Sequence, residues 1–226
     1  MLKVLAIRYG IPELNRISGF HEVSKHFDEF GIKKGLGYAY HRPGEIHDPK
    51  EELQENNAKG FPNDDPHYFR AKIDSYLVKV AEQYGCIIYQ NTPYGATDIN
   101  DQGVILNVSA QHQIEAKFLI DGSGPRSQFV TERDLRRSNI TLRTNTCSIY
   151  NHMEDVRAFD DLIERRSKED VLPVLFSEQT LHHVFDGGWA WVIPFDNNRL
   201  STSRACSVGV QLDLNKYTID MKDDLG

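Results

Sequence analysis

Two stretches of this chain carry residue types at spacings that could do chemistry. The first runs Gly187-Gly188-Trp189-Ala190-Trp191-Val192-Ile193-Pro194-Phe195 and holds both tryptophans of the protein. Successive side chains on an extended strand point to opposite faces, so Trp189 and Trp191 share one face and Ala190 and Val192 take the other. The paired glycines allow a tight turn, and Pro194 ends the strand or marks an edge. By residue type alone, the tryptophans are large core anchors on a sheet strand. The second stretch is Asp121-Gly122-Ser123-Gly124-Pro125-Arg126-Ser127. Its glycines let the backbone approach a ligand closely, and amides there and at a following helix start favour an anion. Arg126 adds a charge suited to phosphate. The same residues also make an ordinary turn, and residue type leaves both readings open.

No other constellation stands out. Cys86, Cys147 and Cys206 are odd in number and far apart, which offers neither a disulfide frame nor a Cys-x-x-Cys motif and points to a reducing, cytoplasmic setting. The nine histidines are scattered, and His182 and His183 fall on opposite faces of a strand. No cluster of His, Cys or carboxylates suggests a metal, and no Ser-His-Asp arrangement can be read from spacing. A net charge of -7 without a basic cluster argues against a nucleic-acid partner. No apolar run approaches membrane-spanning length, and Met1 to Ile7 is too short for a signal peptide. The 226 residues, 39% hydrophobic and 26% charged, suit one large globular domain or two small ones.

These residues need elements to hold them. Lys3 to Ile7 is an apolar run suited to a buried strand. His21 to Phe30 has amphipathic helical spacing, with Gly31 as its C-cap. Gly35 to Tyr40 enters a strand, and His47 to Asp65 is a long polar loop. Asp65 and Pro66 suit the start of a helix whose stripe is Phe69, Ile73, Tyr76, Leu77, Val80 and Tyr84, ended by Gly85. Cys86 to Gln90, Val104 to Ser109 and Glu115 to Ile120 are expected strands, with a hairpin turn over Ile99 to Val104. Thr141 to Asn151 is β-rich and Arg157 to Asp170 is a charged helix candidate. Leu172 to Phe176, Leu181 to Phe185, Trp189 to Phe195 and Leu200 to Leu212 are consecutive strands, with a turn at Asn197-Asn198.

Trp-x-Trp-x-Ile-Pro over 189–194 resembles the signature of the flavin-dependent halogenases. Lys117 to Leu135 resembles the Asp-Gly motif of the wider flavoprotein monooxygenase superfamily, and His67 to Ala71 looks like the helix start that precedes its β-meander. The resemblance covers roughly residues 65 to 200. It implies an α/β fold: a partial FAD-binding, Rossmann-like layer over 1–137 and an antiparallel β-sheet substrate-side region over 138–226. It implies FAD as cofactor, touched by Asp121, Gly122, Ser123, Gly124, Pro125 and Arg126. It also implies chemistry that turns reduced flavin, oxygen and halide into hypohalous acid, carried to a lysine beside an aromatic or other electron-rich small-molecule substrate. Trp189, Trp191, Ile193 and Pro194 match the motif that keeps substrate away from the flavin. A separate flavin reductase would supply the reduced cofactor.

Three departures bear on this. The lysine is expected near Tyr38 to His41, where none stands; Lys33 and Lys34 are the candidates, and both suit a solvated surface. A Gly-x-Gly-x-x-Gly phosphate loop is not found, and Met1 leaves no room for one ahead of the first strand. The later Gly-Asp motif of the superfamily does not occur before Gly226. The chain is therefore expected to be truncated at both ends and to bind FAD poorly by itself. A monooxygenase or reductase of the same fold is the alternative enzyme, and a non-catalytic binding module the alternative outside enzymes.

Overall fold

The computed structural model describes residues 1–56, 65–109, 112–124, 127–136, 143–163 and 173–218. In chain order its helices are α1 (Leu2–Tyr9), α2 (Phe20–His26), α3 (Arg70–Gln83) and α4 (Gln128–Glu132). Its strands are β1 (Phe30–Lys33), β2 (Gly35–His41), β3 (Glu52–Asn56), β4 (Asp65–Tyr68), β5 (Thr97–Asn100), β6 (Gly103–Ser109), β7 (His112–Ala116), β8 (Thr146–Glu154), β9 (Thr180–Phe185), β10 (Gly188–Pro194) and β11 (Ala205–Asp213). The mixed α/β architecture agrees with the expected fold class. Two compact units form, one from Met1–Gln83 with Thr144–Gly226 and one from Tyr84–Arg143. This division differs from a linear split at 137. The reason is one pairing: β2 lies parallel to β9, which stitches the first third of the chain into the sheet of the last third.

The first unit is built on a six-stranded sheet of order β3-β2-β9-β10-β11-β8. Its ladders are antiparallel except β2 with β9. A small antiparallel pair, β1 with β4, packs beside it, with Phe30 facing Tyr68 and Lys33 facing Asp65 in register. Phe20, Val23, Phe30 and Ile32 make the core beneath this pair. Phe20 and Phe30 meet edge to face at 5.5 Å, an arrangement that suits the charge distribution of two rings.

Several expectations are corrected here. Lys3–Ile7 is not a strand but lies inside α1, where Leu2, Leu5, Ala6 and Tyr9 recur at helical spacing; Gly10, at φ 64, closes it with its N–H on the Ala6 carbonyl. Gly31 is no helix cap: α2 stops at His26, and Gly31 sits inside β1. Asp65 and Pro66 do not start the long helix, because they pair with β1 and α3 begins only at Arg70. A proline is tolerated there since β4 has a partner on one side only. The buried stripe of α3 is Ile73 and Val80, with Tyr76 donating to the Glu13 carbonyl at 3.0 Å. The loop from His47 contains β3. Phe176 opens a single 3-10 turn rather than ending a strand, because Asp160 accepts from the amides of Phe176 and Ser177, both at 2.9 Å. β11 starts at Ala205, not Leu200. Of the charged helix candidate, Phe159–Asp161 forms a 3-10 turn, and 164–170 lie outside the described residues.

The second unit is the meander β5-β6-β7 followed by α4. The expected hairpin turn is present: Asn100 Oδ1 accepts from the Gln102 amide at 2.8 Å. β7 ends at Ala116, so Phe118 and Ile120 belong to no ladder among the described residues and are 86% and 94% exposed. Cys86–Gln90 likewise forms no strand among the described residues.

Candidate functional site

The tryptophan motif forms β10, with ladders to β9 on one side and β11 on the other. Strand alternation puts Trp189, Trp191 and Ile193 on one face. In register, Tyr38 faces His182, His182 faces Trp191, Trp191 faces Gly209 and Gly209 faces Tyr150. The result is one aromatic row across five strands. Tyr38 stacks on His182 at 4.8 Å, Trp189 lies 5.1 Å from His182 and 5.5 Å from Trp191, and Tyr150 lies 6.1 Å from Trp191. Both indoles are half-buried. Trp191 lies flat over Gly209, where a Cβ would come within 2.2 Å of its Cζ2. Its Nε1 donates to Ser207 Oγ at 3.3 Å.

The end of the motif fastens the strand that carries Lys33. His67, 5% exposed, has Nδ1 on the Pro194 carbonyl and Nε2 on Thr180 Oγ1, each at 3.0 Å. A carbonyl can only accept, so Nδ1 holds the proton and Nε2 accepts from the threonine hydroxyl. Burial pushes His67 down to about 4, against the help of the Pro194 carbonyl, and the Lys33 ammonium pushes the same way. Gly31 packs against the same carbonyl so closely that a Cβ there would lie 2.1 Å from it. Asn197 completes the clasp: Oδ1 accepts from the Ile32 amide at 2.9 Å, and Nδ2 donates to the Ile32 and Ser177 carbonyls at 2.8 and 2.9 Å. The expected turn residues Asn197 and Asn198 thus also bind β1, since Asn198 donates to the Phe30 carbonyl at 3.0 Å.

The two lysines part company. Lys34 Nζ pairs with Glu178 Oε1 at 2.5 Å. Lys33 is half-buried, and its charge is felt at His67 and at His182 of the aromatic row. Sequence could not separate the two, because Lys33 ends β1 and Lys34 lies in the step to β2, and the partners of each are set by distant residues.

The opposite face of the sheet bounds a cavity of about 510 Å³, lined by Phe159, Phe176, Leu181, Val192, Cys206 and His183 among others. His183 Nδ1 meets His41 Nε2 at 2.9 Å, His41 lies 5.0 Å from the His47 ring, and His47 Nε2 meets Glu52 Oε1 at 3.0 Å. Burial, then the neighbouring His41 and His47, pushes His183 down to about 4. Burial pushes the Cys206 thiol up to about 12, which leaves it inert as a nucleophile. Sequence reasoning missed this histidine cluster, since the parallel β2–β9 ladder that builds it joins residues about 140 apart. Among the described residues no group of three or more His, Cys, Asp or Glu is placed to hold a metal.

The Asp-Gly turn lies in the second unit. Asp121 Oδ1 accepts from the Ser123 amide at 3.0 Å and Oδ2 from the Ser127 hydroxyl, and these bonds, Ser123 first, hold its carboxyl below the usual range. Ser127 then caps α4, its Oγ accepting from the Val130 amide at 3.0 Å. Gly124 takes φ +76, and a Cβ at Gly122 or Gly124 would meet nothing within 4 Å. The backbone at Gly122 and Gly124 therefore borders open space among the described residues. Pro125 and Arg126 lie outside the described residues.

Over its own length the chain is similar in sequence and fold to known halogenases. Monodechloroaminopyrrolnitrin halogenase PrnC of Pseudomonas fluorescens is 36% identical over 218 residues, 96% of this chain and 38% of the relative. Tetracycline 7-halogenase of Kitasatospora aureofaciens is 34% identical over 218 residues, 96% of this chain and 39% of the relative. The crystal structure of halogenase PltM in complex with phloroglucinol and FAD superposes with a TM-score of 0.87 at 30% identity, over 97% of this chain and 43% of that one. The chain thus spans about two fifths of the length of the curated relatives it matches. No family model matches it. No helix among the described residues is long and apolar enough to cross a membrane.

Proposed function

We propose that this chain is the part of a FAD-dependent halogenase that walls the reaction space and delivers the oxidised halogen to an electron-rich, small-molecule arene. The observation that carries the reading is the aromatic row: two half-buried indoles, a histidine and two tyrosines on one sheet face, with the histidine pushed below its usual pKa by burial and then by the Lys33 charge. FAD, once reduced and given oxygen and halide, supplies the oxidised halogen. Trp189 and Trp191 present flat apolar surface that excludes water and keeps substrate off the cofactor. Ile193 extends that wall, while Pro194, on the other face, seats the strand bearing Lys33 through its carbonyl and His67. Lys33 holds the halogen species by charge and hydrogen bonding next to the substrate. Asp121, Gly122, Ser123 and Gly124, followed by Pro125 and Arg126, hold FAD. A separate flavin reductase feeds the enzyme, and the setting is cytoplasmic.

The test is product mass from the full-length protein with reduced FAD, oxygen and halide. Lys33→Ala should lower halogenation about a hundredfold or more, the scale seen when one positioned charge-stabilising donor is lost. Lys34→Ala should leave it near the wild-type rate. Trp189→Phe and Trp191→Phe should fold and hold FAD but alter halogenation. Unchanged halogenation in both tryptophan variants and in Lys33→Ala would refute the assignment. A hydroxylated product would favour a monooxygenase, and a purified protein with no flavin absorbance a binding module.

A further inference from the structure

His182 sits at the centre of the aromatic row, and its chemistry is fixed by what surrounds it. One face of its ring stacks on Tyr38 at 4.8 Å with 16° between the planes. Trp189 approaches it at 5.1 Å. Its Nδ1 lies 3.1 Å from the Gly37 carbonyl. That oxygen can only accept, so Nδ1 donates and the neutral ring carries its lone pair on Nε2. Burial pushes the His182 pKa below its usual value against the pull of the Gly37 and Thr180 backbone, and the Lys33 charge pushes it the same way as burial. Among the described residues no hydrogen bond takes the Nε2 lone pair. The side chain is only half-buried. A ring stacked on one aromatic side chain and flanked by another, with one nitrogen committed to backbone and the other open, has the form of a rigid acceptor.

We infer that His182 is a substrate-recognition residue whose Nε2 accepts a hydrogen bond from a ring-borne O–H or N–H of an aromatic substrate lying against Tyr38 and Trp189. The inference rests on the reading above that the tryptophan face fronts the reaction space. It narrows the substrate class to phenols, anilines, pyrroles and indoles, and away from arenes without a donor. A donor engaged this way pushes electron density into the ring, which favours attack on an electrophilic halogen. The neighbouring His183 cannot share the role, because it points to the opposite face.

The experiment compares resorcinol with its dimethyl ether, 1,3-dimethoxybenzene, which keeps the ring and loses both donors. Dissociation constants are measured on the full-length protein and on His182→Phe, which keeps an aromatic ring but has no acceptor. The ratio of the two constants should favour resorcinol in the wild type and fall about tenfold in the variant, the scale of one net hydrogen bond. An equal ratio in both proteins, or no binding of either arene to the wild type, overturns the inference. Nitrogen-15 spectra of the wild-type imidazole provide a second reading that needs no variant. Nε2 should be unprotonated and should shift on adding resorcinol but not the dimethyl ether; a proton on Nε2, or equal shifts, also overturns it. Absent halogenation with the binding ratio intact would refute the proposed function and leave His182 recognition standing.

Discussion

Gly209→Ala is the sharpest probe of the aromatic row. The new Cβ would lie 2.2 Å from Trp191 Cζ2 and 2.5 Å from both Cε2 and Cη2. No Cβ sits that close to a ring, so the indole must tilt or the strands must part. The clash is with the middle of a large ring held between β9 and β11, not with the end of a mobile side chain. Overpacking of this kind costs about 1 to 3 kcal/mol. Removing a glycine from a strand returns about 0.4 to 1 kcal/mol through the unfolded chain. The net effect at mid-range is destabilisation by about 1.3 kcal/mol, within a span of about 0 to 2.6, or a melting temperature lower by roughly 3 to 5 °C in a protein of this size. Tilting also breaks the Nε1 bond to Ser207 and the 6.1 Å contact with Tyr150, so tryptophan fluorescence should shift. A double-mutant cycle with Trp191→Phe isolates the cause, because the smaller ring leaves room for the methyl. Coupling should be at least about 0.5 to 1 kcal/mol in the favourable direction. A Gly209→Ala variant as stable as wild type, or strict additivity in the cycle, would refute the packing argument.

Two further expectations come from the clasp on β1. His67 is neutral in the fold, near 4, against about 6.5 in the unfolded chain, so the unfolded state binds the proton first as pH falls. Its stabilisation is complete above about pH 6.5 and is lost between there and about pH 4, by about 3 kcal/mol at 1.36 kcal/mol per unit. Melting curves from pH 7 to 4.5 should show a steeper acid loss in wild type than in His67→Gln, and equal slopes would count against it. Asn197→Ala deletes three bonds and strands the Ile32 amide and carbonyl, costing about 1.5 to 4.5 kcal/mol at 0.5 to 1.5 per bond. Denaturant titration should show that loss, and a change under about 0.5 kcal/mol would mean that the clasp does not hold β1.

What the sequence determined by itself is local. The period-two placement of Trp189 and Trp191, the hairpin between β5 and β6 and the capped turn before α4 depend on residues within a few positions, and all are present. The stripe on α3 was equally legible, although its first turn was not. The motif also pointed to the halogenases to which the chain is similar in sequence and fold. Local signals failed where a distant partner overrode them. Asp65-Pro66 is a sound helix start in isolation, yet β1 claims it as a strand because His67 must reach the Pro194 carbonyl and Thr180. Lys3–Ile7 has no alternation to hold it in a sheet, so its spacing and Gly10 make it a helix. The site itself belongs to tertiary structure. Only the parallel β2–β9 ladder sets Tyr38 against His182, only the β10–β11 register puts Gly209 under Trp191, and only the docking of β1 separates Lys33 from Lys34. Each is a register between residues far apart in the chain, and a slip of one position would send the same side chains to the other face.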